Sequence, residues 1–150
     1  MIFAAKPSNR RRYPLFASRV AAGFPSPAED HVEGKLDLNE HLIKHPAATF
    51  IVRVEGASMT GAGIHPGDLL IVDRSLEPRD GSIVVAAVNG ELTVKRLRAE
   101  KGGWVLKAEN PDFPDIPIAG AANAEAPNTE DVACAVWGVA TNAIHSLGPP

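Results

Sequence analysis

Residues Ser82 to Leu97 run SIVVAAVNGELTVKRL, with the pair Asn89-Gly90 near the centre. Both central residues of a two-residue hairpin must accept positive φ, which Asn and Gly do at little steric cost. The apolar runs on either side, rich in β-branched residues, then become two antiparallel strands. Alternation along the second strand places Glu91, Thr93 and Lys95 on one face, with Leu92, Val94 and Arg96 on the other.

Further strands are expected on the same grounds. TFIVRVEG and DLLIVD are short β-branched runs bounded by turn formers, and GGWVLKAEN and DVACAVWGVATNAIH supply two more. A Pro- and Ala-rich connection from Pro111 to Pro127 separates the last two. Asp37 is placed to N-cap one short helix over Leu38 to His45, whose apolar positions Leu38, Leu42 and Ile43 have helical spacing and which Pro46 stops. Residues 1–30 read as an irregular arm, because Pro7, Pro14, Pro25 and Pro27 forbid a long helix. The expectation is a mostly β chain with one small helix.

At 150 residues, 45% hydrophobic and 22% charged, the chain suits one globular domain with a sizeable core. Its longest apolar stretch, near Ile83 to Val88, falls far short of the roughly 20 residues of a membrane helix. The N-terminus has no secretory apolar core, so a cytoplasmic protein is expected. Cys134 is the only cysteine, which forbids an intrachain disulfide and argues against a cysteine metal site; a buried thiol is the simpler reading. The net charge of −3 divides unevenly, with +5 in residues 1–22 and −8 in the remainder. That pattern describes a basic arm on an acidic body. Twenty-two residues are too few for a helix-turn-helix, so sequence-specific DNA binding is not expected.

The stretch from Val54 to Asp73, VEGASMTGAGIHPGDLLIVD, sets Ser58 and Met59 in a turn with glycines at 56, 61, 63 and 67, between two apolar runs. A nucleophile must protrude where a carbonyl can approach, beside backbone N–H groups that no ladder uses. A glycine-bracketed turn at a strand end offers both, although turn serines commonly do no more than bond locally. With seven serines and six lysines in the chain, a Ser/Lys pair alone carries almost no information. The histidines nominate little. His41 and His45 are four apart, but no glutamate follows His41 as a zinc-protease helix requires. Exposed side chains are the simpler reading for that pair, and His31, His65 and His145 have no partner that the sequence identifies.

Taken together, GASM in its glycine turn, GIHPGDLLIVD, and GSIVVAAVNGELTVKRL resemble the LexA/UmuD family of self-cleaving Ser-Lys peptidases. The resemblance extends from GFPSPAEDHVEGKLDLNEHLIKHPAATFIV to about NPDFPDIPI, most of the chain after residue 22. It implies a LexA/signal-peptidase-like fold of several coiled β-sheets, one short helix and an extended N-terminal arm. It further implies Ser58 as nucleophile, Lys95 as general base, and Ala22-Gly23 as the bond cut, dividing a cleavable arm (1–22) from a peptidase-like β domain (23–150). The oxyanion candidates are the backbone N–H groups of Ala57 and Ser58. A free lysine, with a pKa about 10.4, is charged at neutral pH and cannot accept the serine proton; burial in apolar surroundings lowers it. Neither a metal nor a cofactor is expected.

By the same resemblance the processed chain serves as accessory subunit of an error-prone translesion polymerase in the SOS response. Its implied partners are a second copy of itself, a UmuC-type polymerase, and a RecA filament on single-stranded DNA as activator of cleavage. The alternative is a LexA-like repressor fragment switched off by self-cleavage, which the short arm disfavours. A signal-peptidase relative would need a membrane anchor, and a peptidase-like binding module would not need its Ser and Lys. Two departures stand out. The arm carries Ala22 where the best-known relatives have cysteine, and Gly120 to Pro127 is unlike the family.

Overall fold

The computed structural model describes residues 11–17, 19–23, 32–118 and 134–148. The basic residues Lys6 and Arg10, the FPSP stretch, His31, the Ala119-Gly120 bond and the whole Gly120 to Pro127 segment lie outside the described residues. The chain divides into two compact units, Met1–Lys44 and His45–Pro150.

In the N-terminal unit, β1 (Tyr13–Phe16) pairs antiparallel with β2 (Val32–Leu36), Tyr13 standing opposite Leu36 and Pro14 opposite Lys35. The sequence reading has this segment irregular because of its prolines. In a two-stranded ribbon each strand is an edge, where a proline without an N–H costs no internal ladder bond. Asp37 caps α1 (Leu38–Leu42), its Oδ1 accepting from Asn39 N–H at 3.0 Å and Glu40 N–H at 3.4 Å. The helix ends three residues before the expected His45. Ile43 is already extended (φ −109°, ψ 100°), and His45, preceding Pro46, is held out of the helical region by the proline ring.

The C-terminal unit is one seven-stranded sheet among the described residues, in the order β3-β4-β9-β5-β6-β7-β8. Its strands are β3 (Thr49–Arg53), β4 (Leu69–Asp73), β5 (Ile83–Val88), β6 (Glu91–Glu100), β7 (Gly103–Lys107), β8 (Ile116–Ile118) and β9 (Cys134–Ile144). The β5-β6 hairpin turns at Asn89 (φ 49°) and Gly90 (φ 82°), the two positive values its sequence requires. Strand β9 lies between β4 and β5: its second half pairs with β4 and its first half with β5, both pairings meeting at Val139.

Both faces of the sheet are covered at its centre. On one side Val84, Ala86, Leu97, Leu106, Ile118 and Val139 form a core; on the other Val85 joins Val54, Met59, Ile64, Leu70 and Val72. The alternation of Val84, Val85 and Ala86 along β5 thus feeds two cores from one strand. Each aliphatic side chain withdrawn from water there stabilises the fold by roughly 1.5–3 kcal/mol. Strand β3 forms an edge and leaves Phe50 and Ile51 exposed, with Phe50 tilted against Trp137 at 5.4 Å. Cys134 opens β9 half-buried, and burial pushes its thiol pKa up. No helix of the described residues is long and apolar enough to cross a membrane.

Candidate active site

The turn that carries Ser58 begins where β3 ends. Gly56 and Gly63 bracket it with φ of 84° and 80°, values a β-carbon disfavours, and a short 3-10 turn, Thr60–Ala62, lies inside. Met59 fills the core on one side and is 2% exposed. The methionine therefore anchors the turn, and the half-buried serine beside it is left facing out. Ser58 lines a cleft of about 320 Å³ together with Val52, Val54, Met59, Val85 and Val94. Arg53, Glu55 and Thr93 also line it, so apolar and polar surface meet beside Ser58.

Lys95 projects from β6, and its Nζ lies 3.0 Å from Ser58 Oγ. Two more acceptors surround it, Thr93 Oγ1 at 2.9 Å and the Val94 carbonyl at 3.2 Å. The lysine is 7% exposed, and its cross-strand partner Val84 is fully buried. Desolvation holds its pKa below the ordinary lysine value. Among the described residues no carboxylate comes within ion-pair distance of Nζ, so nothing there favours the charged form by pairing with it. A neutral amine has two N–H donors and one lone pair. Were the amine neutral, with its donors on Thr93 and Val94, its lone pair would face Ser58 Oγ.

Among the described residues, the N–H groups of Ala57, Ser58 and Met59 donate to no protein acceptor. Sequence reasoning missed what holds this turn from outside, the segment Glu109-Asn110 after β7. Glu109 N–H donates to the Ser58 carbonyl at 2.8 Å, and Gly61 N–H donates to the Glu109 carbonyl at 2.7 Å. Asn110 Nδ2 donates to the Ala57 carbonyl at 2.8 Å, and Arg96, the residue after Lys95, pairs with the Glu109 carboxylate. A β-carbon at Gly61 would lie 2.5 Å from the Glu109 carbonyl oxygen, so only glycine allows this approach. The signal was the glycine itself, which the sequence reading assigned to turn geometry alone.

Ala22 and Gly23 belong to the N-terminal unit, where both are exposed; a β-carbon at Gly23 would meet nothing within 4 Å. His41 and His45 are both exposed, the simpler reading of that pair, but only His41 is on α1; His45 lies beyond it and bonds Asp73 at 2.5 Å. His145 bonds Asp68 at 2.6 Å, with the His65 ring 5.0 Å away. Both aspartates are held below the usual carboxylate range, Asp68 mainly by the His65 amide and Asp73 mainly by the Ser75 hydroxyl. No group of three or more His, Cys, Asp or Glu residues suited to a metal occurs among the described residues.

Thr93 gives a direct test of the lysine environment. An acceptor helps an ammonium more than an amine, because charge-assisted bonds are the stronger ones. In Thr93→Val the pH at which Lys95 loses its proton is expected to fall, with the limiting rate reduced several-fold as Nζ loses one of its guides. A midpoint that stays in place or rises in the pH-rate profile would contradict this account.

Residues 14–138 match the family described as Peptidase S24-like. The protein ImpA of Escherichia coli is 56% identical over 95 residues, covering 62% of this chain and 66% of ImpA, so the chain spans just under two thirds of that relative's length. The protein MucA of Escherichia coli is 43% identical over 134 residues, 89% of this chain and 83% of MucA. LexA repressor 1 of Pseudomonas syringae pv. tomato is 46% identical over 100 residues, 67% of this chain and 49% of the repressor.

Proposed function

The chain belongs to the S24-like peptidase family, and we propose that it cuts its own Ala22-Gly23 bond with Ser58 as nucleophile and Lys95 as general base. The observation that carries this reading is the 3.0 Å contact between Lys95 Nζ and Ser58 Oγ, made by a lysine buried without a counter-charge among the described residues. In the proposed cycle the Ala22-Gly23 bond occupies the cleft beside Ser58. Neutral Lys95 takes the Ser58 proton as Oγ bonds to the Ala22 carbonyl carbon. The carbonyl oxygen becomes an oxyanion facing the Ala57 and Ser58 amides. Collapse breaks the bond to Gly23 N, and the Lys95 ammonium supplies the proton that this leaving amine takes up. Water, deprotonated by the again-neutral Lys95, then attacks the acyl-serine; the Ser58 Oγ–carbonyl bond breaks, Lys95 returns the proton to Oγ, and residues 1–22 leave.

Cleavage in this reading is a switch. It removes a segment of +5, β1 included, and leaves a body of −8, which changes what the surface attracts and takes no strand from the seven-stranded sheet. The processed chain then acts in the cytoplasm as a homodimeric accessory subunit of a UmuC-type translesion polymerase in the SOS response, with a RecA filament on single-stranded DNA promoting the cut. The family membership and the similarity to ImpA and MucA support this reading. The likeness to a LexA repressor favours a second reading, a repressor fragment that cleavage inactivates. Operator binding lost on cleavage would single out the second.

Intact-mass measurement after incubation at alkaline pH tests the scissile bond. The expected product begins at Gly23 and is absent from Ser58→Ala. A product beginning elsewhere would remove the bond assignment, and a wild-type chain left whole at every pH, with and without a RecA filament, would remove the function.

A further inference from the structure

The Glu109-Asn110 segment touches the Ser58 turn at three points, and one of them controls a group the mechanism needs. In a trans peptide the C=O and N–H point in opposite directions. The Ala57 carbonyl is drawn to Asn110 Nδ2 at 2.8 Å, so the N–H across the same peptide, that of Ser58, is turned away from Asn110. Ser58 lines the cleft, and Asn110 does not. The same contact polarises the peptide, because a carbonyl that accepts a hydrogen bond makes its own N–H a stronger donor.

We infer that Asn110 is a positioning residue for the oxyanion site: its side-chain amide fixes the Ala57-Ser58 peptide so that the Ser58 N–H points at the developing oxyanion. The inference rests on Ser58 being the nucleophile. The Asn110 side chain is itself fixed at its other end, Oδ1 accepting from Asp112 N–H at 3.0 Å, so the amide cannot turn over without losing both bonds. Its segment is tied down in turn. Glu109 is bonded through its backbone to Ser58 and Gly61 and through its carboxylate to Arg96, which also donates to the Gly81 carbonyl at 2.7 Å. Lys95 and Arg96 are consecutive on β6. One strand therefore supplies the base and, with the next side chain, steadies the segment that orients the nucleophile's amide.

The arrangement permits a narrow test. Asn110→Asp keeps the volume and the acceptor for Asp112 N–H, while it replaces the donor to the Ala57 carbonyl by a second acceptor that repels it. Asn110→Ala removes the donor without adding charge. Both variants and the wild type would be followed by rate of arm loss against pH, by fluorophosphonate labelling of Ser58, and by thermal unfolding. A misdirected oxyanion donor is expected to slow arm loss and labelling by about ten- to a hundredfold, less than the loss of such a donor altogether. In Asn110→Ala the pH midpoint should stay in place, since it belongs to Lys95; in Asn110→Asp the added carboxylate favours the ammonium and can only raise it, and cooperative unfolding should persist in both.

Equal rates in wild type and Asn110→Asp would overturn the inference. So would a midpoint that moves as expected for Thr93→Val, which would route the effect through the base. Loss of cooperative unfolding in both variants would assign Asn110 a purely structural role. A wild type that neither releases its arm nor labels at Ser58 would remove the nucleophile, and the oxyanion with it; that failure shows in the wild type itself, not in the comparison.

Discussion

Replacing Lys95 with arginine is expected to abolish arm release from about pH 6 to about pH 10, as fully as replacement with alanine. Arginine keeps a positive charge and comparable reach but cannot lose its proton in that range. If Lys95 were only a fixed cation beside Ser58, the arginine variant would retain much of its activity. As a general base it must be neutral, and removing such a base costs about 10²- to 10⁴-fold. The sign of the pH dependence follows from burial. Desolvation penalises the ammonium and lowers the folded pKa, so the wild-type rate should climb as pH rises through that pKa and level off above it. Stability moves the same way. The folded state sheds the lysine proton at lower pH than the unfolded chain does, so folding is favoured more as pH rises between the two values. Arm loss followed by intact mass across this range decides the matter. Substantial cleavage by Lys95→Arg, or a wild-type rate that falls with pH while the fold persists, would exclude the base role.

Met59→Ala should cost about 2–5 kcal/mol of stability, lowering Tm by roughly 4–20 °C. The side chain is 2% exposed and packs in the core with Val54, Ile64, Leu70, Val72 and Val85. Its removal leaves a cavity directly behind the nucleophile. The turn then relaxes inward, and a shift of about 1 Å at Ser58 Oγ is enough to lower the rate on the order of a hundredfold. Met59→Leu, which nearly conserves volume, should cost less than about 1.5 kcal/mol and retain most activity. The paired measurements are thermal unfolding and arm release at a temperature where both variants are folded. An alanine variant as stable and as active as the wild type would show that the turn holds its shape without the anchor.

The parts of this protein legible in the sequence are those whose causes are local. The Asn89-Gly90 hairpin was readable because two adjacent residues at positive φ admit few side chains. The Asp37 cap was readable because its partners, Asn39 and Glu40, lie two and three residues away. Thr93 and Lys95 share a face by simple alternation, and the structure has them 2.9 Å apart. The pairing of Ser58 with Lys95 was of another kind. It came from a likeness to known proteins, because no local rule aims a strand lysine at a turn serine 37 positions away. The tertiary structure alone decided the rest. Strand β9 enters between β4 and β5, bringing His145 to Asp68 across 77 positions. The Glu109-Asn110 segment reaches the Ser58 turn from 51 positions along the chain, as counted from Glu109 N–H to the Ser58 carbonyl. Such contacts depend on which strands find each other and on whether a glycine such as Gly61 leaves room for a foreign carbonyl. A strand's own side chains specify which face is buried, but its partner is chosen by the packing of the whole sheet.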